Sequence, residues 1–230
     1  MKARAVSKIP NPLEYFGFVY FYGSFLAGPA LEVKEYLAFT DLTLFKDRRI
    51  PSTILPTLQC FFFCLVCFGF TNLKAMYPAD FMKSDAFRTE YDFIHKFFYM
   101  QLSVSLHRFQ YYFVWLLAEG ACILSGLGYV YHEKENKVTW DRCSNVDIVG
   151  LETCQNYKGI TDSWNKKTNL WLKYYIYMRL TTPDGKPTSA STYITYLTSA
   201  FWHVSNLPPP PSLTKIDLPR SIRASTRVTT

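Results

Sequence analysis

Charge is missing from the stretch of this sequence where its absence says most: Pro51 to Leu73 contains no Asp, Glu, Lys or Arg. At 1.5 Å rise per residue, about 20 uncharged residues suffice to cross the hydrocarbon of a bilayer. Charged residues make up 19% of the whole chain, below the ~25% usual in soluble domains. Only four His occur in 230 residues, and none joins Cys or acidic residues at metal-ligand spacing, so no metal site is expected. A Gly-rich phosphate loop, a Gly-x-Ser-x-Gly elbow and internal repeats are also lacking, which argues against nucleotide-cradling, serine-hydrolase and repeat architectures. The net charge of +7 comes from short groups such as Lys46, Arg48 and Arg49, or Lys166 and Lys167. Without a continuous basic stripe, nucleic acid is not an expected partner, whereas basic connectors beside apolar spans suit anionic lipid headgroups.

Aromatic residues are plentiful, 18% of the chain with 19 Phe and 17 Tyr. The mean hydropathy of −0.03 is an average over long uncharged stretches and strongly polar connectors, the alternation of a multi-pass membrane protein. Cys60, Cys64 and Cys67 recur at helical spacing inside the uncharged run and read as small buried apolar side chains on one stripe. Cys122, Cys143 and Cys154 form no recognisable disulfide framework.

Along the chain, Glu14 and the crowding of Phe and Tyr argue against a secretory leader at the start. Tyr15 to Leu31 reads as a membrane helix or a reentrant segment, bent at its far end by Gly28-Pro29. Pro51 to Leu73 is the clearest crossing. After a polar connector, Tyr91 to Leu106 forms an amphipathic aromatic stretch, and Phe109 to Tyr131 is a further crossing, with Gly120, Gly126 and Gly128 allowing close approach of a neighbour. His132 to Asp162 reads as a connector with room for short helices. Trp164 to Leu180 and Tyr193 to Trp202 read as two shorter apolar helices on either side of the turn Pro183-Asp-Gly-Lys-Pro187. The fold class expected is all-α, a multi-pass transmembrane helical bundle, followed from Val204 by a disordered Pro, Ser and Thr-rich tail.

Three residues stand out chemically. Glu119 is the one ionisable group in its apolar span; it pairs with a cation or faces an aqueous cavity, or else lies near a helix end and reaches the headgroups. Asn165 follows Trp164 at a helix start, where the amide is suited to capping and the indole to an interface. His203 ends an apolar helix, and taken singly reads as an interfacial or hydrogen-bonded core residue.

Taken together, Trp164-Asn165-x-x-Thr168-x-x-Trp171-Leu172-x-x-Tyr175-x-Tyr177-x-Arg179 and the later Ser199-Ala-Phe-Trp202-His203 resemble the signature of the membrane-bound O-acyltransferase family. Further segments resemble its lysophospholipid acyltransferase branch, with a fungal flavour: Glu14-Tyr-Phe-Gly-Phe18, Ser24 to Pro29, Arg108 to Phe113, Ala118 to Gly128, and Asn145-Val-Asp147 before Glu152. The resemblance implies acyl transfer from acyl-CoA, as co-substrate rather than bound cofactor, to the free hydroxyl of a lysophospholipid in the endoplasmic reticulum membrane. It places the catalytic roles on His203, as general base, and Asn165, which stabilises the oxyanion or orients the substrate. Trp164, Thr168, Trp171, Trp202 and Glu119 would line the substrate cavity between helices.

The resemblance runs from about Pro12 to His203, within a partial acyltransferase domain of residues 1–203, and stops where the divergent tail, 204–230, begins. Full members of the family are about twice as long, and after the His they continue with Gly and another apolar helix. The chain is therefore expected to be truncated, through a frameshift, an unusual splice form or a mispredicted gene. The alternative function is a non-catalytic membrane interaction protein or pseudoenzyme fragment.

Overall fold

The structure is a computed structural model that describes residues 4–6, 8–45, 50–182 and 186–205, except the side chains of Trp202, Val204 and Ser205. The Pro, Ser and Thr-rich tail from 206 onward lies outside the described residues. The chain divides into two compact units, one ending at Trp171 and the other beginning at Leu172.

Two long helices form the frame of the first unit. α3 spans Ile54–Leu73, and among the described residues the stretch beginning there, Ile54–Lys83, is the one helix long and apolar enough to cross a membrane, with a mean hydropathy of 1.9. α5 spans Phe93–Ser125, 33 residues, so at 1.5 Å per residue it is about 50 Å long. It joins the amphipathic stretch and the second crossing, expected as separate segments, into one helix. Neither Gly nor Pro interrupts the chain between Leu106 and Phe109, so nothing local breaks the ladder there. Asp92 starts α5 by accepting from His95 N–H at 2.8 Å. Gly126 stops it at φ 92, a left-handed conformation that a side chain would strain, so the helix ends well short of the expected Tyr131.

The two helices meet along the cysteine stripe. Cys60 Sγ lies 3.3 Å from the Leu116 carbonyl and Cys64 Sγ 3.5 Å from that of Phe113. Phe70 stacks on Phe109 at 4.6 Å, and Phe68 contacts Phe113 at 5.2 Å. Small thiols let the backbones approach, and the flanking rings fill the groove. All six Cys are free. On the opposite side of α3, Phe62 is 62% exposed, an apolar side chain suited to lipid.

Of the two forms expected for Tyr15 to Leu31, a membrane helix or a reentrant segment, the continuous helix is not formed. α1 covers only Pro12–Val19, capped by a reciprocal Asn11 and Glu14 box, and eight residues reach about 12 Å. The chain then turns tightly, because a side chain on Gly28 would meet the Gly23 carbonyl at 2.1 Å. Phe21 from this turn is buried with Cys122, Leu127 and Cys143, and α2, Val33–Thr40, adds Tyr36 and Phe39.

The connector after α5 contains short helices, as its sequence allows, and a hairpin that the sequence does not suggest. A hairpin pairs β1, Val130–His132, with β2, Lys137–Thr139, with Tyr131 opposite Val138. The fold is therefore mostly helical rather than all-α. α6, Ile148–Thr153, and α7, Tyr157–Ser163, are capped by Asp147 and Asn156. α4 is the short Asp85–Thr89. α8 covers Lys166–Trp171, so the helix expected over Trp164 to Leu180 is only partly formed within the first unit.

The second unit opens with a π-helical turn, Leu172–Ile176, and a 3₁₀ turn, Tyr177–Arg179. α9, Ser189–Ser205, follows. Thr188 and Ser191 brace its start, each side-chain oxygen accepting from the other's backbone N–H at 3.0–3.1 Å. α9 continues two residues beyond His203.

Candidate active site

Asn165 lies in the link between α7 and α8, directly after Trp164. Its φ is 47°, a left-handed conformation that Asn tolerates better than most residues. The indole before it is clamped. Trp164 meets Trp115 edge-to-face at 4.8 Å and Tyr111 at 5.4 Å, both on α5. Trp164 is thereby packed against the core of Cys67, Tyr112, Trp115, Val146 and Leu151.

Asn145 holds Asn165 from the other side. This residue is 2% exposed, and its side-chain amide donates to Asn165 Oδ1 at 3.0 Å. Its own Oδ1 accepts from Lys167 N–H at 3.1 Å, and its backbone carbonyl accepts from Lys166 N–H at 2.9 Å. The start of α8 is thus capped by a residue twenty positions earlier rather than by the Asn165 side chain, as local reasoning suggested. Sequence reasoning did not place Asn145 among the site residues. Its only signal was a place in the Asn145-Val-Asp147 segment, because burial of a polar residue in a connector cannot be read locally.

Glu119 sits among charges contributed by the protein itself. It lies within electrostatic reach of Lys166, Lys167 and Asp141 and beside the Ser144 hydroxyl, which accepts from Lys166 Nζ at 3.1 Å. Lys166 and Lys167 thus act on Glu119 through space. Thr168 and Trp171 are half-buried on successive turns of α8. Trp164, Asn165 and Glu119 therefore converge around the start of this helix within the first unit. His203 lies in the last turn of α9, in the second unit, and is exposed; the Trp202 side chain lies outside the described residues.

A second polar cluster ties α6 to α5. Arg108 Nε and Nη2 donate to the two oxygens of Glu152 at 3.0 and 2.7 Å, and the buried Tyr112 hydroxyl donates to the same carboxylate. Partial burial pushes the Glu152 carboxyl up, but the hydrogen bonds from Arg108 and Tyr112 outweigh it and leave the group below its ordinary value. Arg108 and Glu152 both belong to segments quoted for the resemblance, and the fold makes them one contact. A cavity of about 300 Å³ near the hairpin, lined by Thr43, Phe45, Tyr129 and Arg142 among others, contains none of the expected site residues. Among the described residues, no three His, Cys, Asp or Glu side chains gather as a ligand set.

A family model of the membrane-bound O-acyltransferase family matches residues 1–205, a range that includes Asn165 and His203. The chain belongs to this family. Similar proteins include the lysophospholipid acyltransferase of Saccharomyces cerevisiae, 35% identical over 88% of this chain and 36% of its own length. That of Schizosaccharomyces pombe is 35% identical over 88% of this chain and 41% of its length. Human lysophospholipid acyltransferase 5 is 32% identical over 86% of this chain and 41% of its length. The chain thus spans less than half of each of these relatives.

Proposed function

We propose that this chain carries the catalytic part of a lysophospholipid acyltransferase, a multi-pass protein of the endoplasmic reticulum membrane with residues 1–203 as its acyltransferase domain. It transfers a fatty acyl group from acyl-CoA to the free hydroxyl of a lysophospholipid. The observation that carries this reading is Asn165, held by Trp164 and Asn145 in a left-handed backbone turn inside the family signature. Such immobilisation suits a group that must meet a developing charge.

His203 takes the proton of the lysolipid hydroxyl as that oxygen attacks the thioester carbonyl. The carbonyl electron pair moves to oxygen, where the Asn165 amide either donates a hydrogen bond to the oxyanion or orients the substrate. As the pair returns, the carbon–sulfur bond breaks and the CoA thiolate takes the proton back from the imidazolium. Trp164, Thr168, Trp171, Trp202 and Glu119 belong to the surrounding wall, Glu119 through the charges of Lys166 and Lys167.

Membranes containing the chain are supplied with labelled acyl-CoA and lysophospholipid, and labelled diacyl phospholipid is measured. Turnover that disappears in His203→Ala and Asn165→Asp is the expected result. Turnover persisting in both variants refutes the assigned roles.

A further inference from the structure

We propose that Asn145 is a positioning residue that fixes which end of the Asn165 amide faces the substrate, making Asn165 a hydrogen-bond donor. This rests on the catalytic reading of Asn165 given above. The two ends of an Asn side chain are assigned from the bonds they make, so the argument starts from a group with no ambiguity. The backbone N–H of Lys167 can only donate. It meets Asn145 at 3.1 Å, so the atom there is the amide oxygen, and the other end of Asn145 is the NH₂. That NH₂ meets Asn165 at 3.0 Å, so Asn165 turns its oxygen inward and leaves its own NH₂ for other partners. One backbone hydrogen thereby orders two side chains in series.

The consequence is a choice between the two roles open to Asn165. An NH₂ facing the reacting atoms donates to the oxyanion as it forms; it does not accept from the lysolipid hydroxyl or the imidazole. Asn145 is 2% exposed and its carbonyl also receives Lys166 N–H, so the orientation is set before substrate arrives and needs no rearrangement during the reaction.

The discriminating variant is Asn145→Asp, which keeps an acceptor for Lys167 N–H but offers a second acceptor where a donor is needed. Asn165 must then turn its NH₂ inward. The expected result is a fall in kcat of about 10²–10³-fold, the usual loss for one oxyanion donor, with the KM for acyl-CoA nearly unchanged. A protonated carboxyl would donate again, so the ratio of variant to wild-type turnover should rise from about pH 8 to about pH 6, where buried carboxyls titrate. A purely structural role would lower turnover without that recovery.

Asn145→Asp turning over within about twofold of wild type, while Asn165→Asp is inactive, overturns the inference and leaves the catalytic reading intact. Wild-type turnover in Asn165→Asp overturns the catalytic reading itself. A measurement independent of turnover uses the chain labelled with nitrogen-15 asparagine in lipid nanodiscs. The side-chain NH₂ of Asn145 should exchange with solvent much more slowly than that of exposed Asn156, and the Asn165 NH₂ resonances should move in Asn145→Asp. Equally fast exchange at both residues in the unmodified chain, or unmoved Asn165 resonances, refutes the inference.

Discussion

At the scale of single residues, Asn165 combines a backbone requirement with a chemical one. Its left-handed φ suits Asn, Asp or Gly, while only an amide offers both an acceptor to Asn145 and an NH₂ beyond it. Asn165→Asp should consequently keep the thermal midpoint of the unmodified chain within a few degrees while losing turnover. Asn165→Ala should lose both, about 1–2 kcal/mol of stability arising from the backbone alone; thermal unfolding in detergent separates the two. Glu152 gives a pH prediction. Its carboxyl titrates below the ordinary value of about 4.3 when folded, so its contribution is complete above that value and is lost as pH falls through the lowered one. Thermal midpoints should therefore fall on acidification below about pH 4, and fall less steeply in Glu152→Gln, which starts lower.

At the scale of elements, α3 and α5 meet through thiols, and the packing depends on their small size. Cys64→Leu should destabilise by about 1–3 kcal/mol, the usual cost of overpacking, because the Sγ already lies 3.5 Å from the Phe113 carbonyl. Phe62 faces away from this seam, and Phe62→Lys should instead impair insertion of α3, by about 2.5–3.5 kcal/mol for a charge near the centre of a span. A glycosylation-site reporter placed after α3 would register that loss. The turn after α1 rests on Gly28, whose replacement by Ala would drive a methyl group into the Gly23 carbonyl and should lower the yield of folded protein.

At the scale of the whole molecule, the proposed chemistry assigns Asn165 and His203 to a single step. Groups that act in one step are not additive. The double variant Asn165→Asp with His203→Ala should lose little more turnover than the worse single variant, as kcat/KM in a double-mutant cycle would show. Independent contributions would instead multiply.

Much of this was legible in the residues themselves. An uncharged run between Pro51 and Leu73 fixes α3, because nothing else satisfies a backbone in lipid so cheaply, and the spacing of Asn165 within its Trp and Tyr partners identifies the family. Local patterns also located the middle of α9, which extends beyond Tyr193 to Trp202 at both ends, but split α5, since His107 and Arg108 interrupt the apolar pattern without breaking a helix. Other features depend on the meeting of distant residues: the fold of Tyr15 to Leu31 against Cys122, the approach of the Lys166 charge to Glu119, and the burial of Asn145 beneath α8. Sequence determined which groups are present and where helices can run. Tertiary structure decided which way the Asn165 amide turns, because that depends on a hydrogen bond donated across twenty residues of intervening chain.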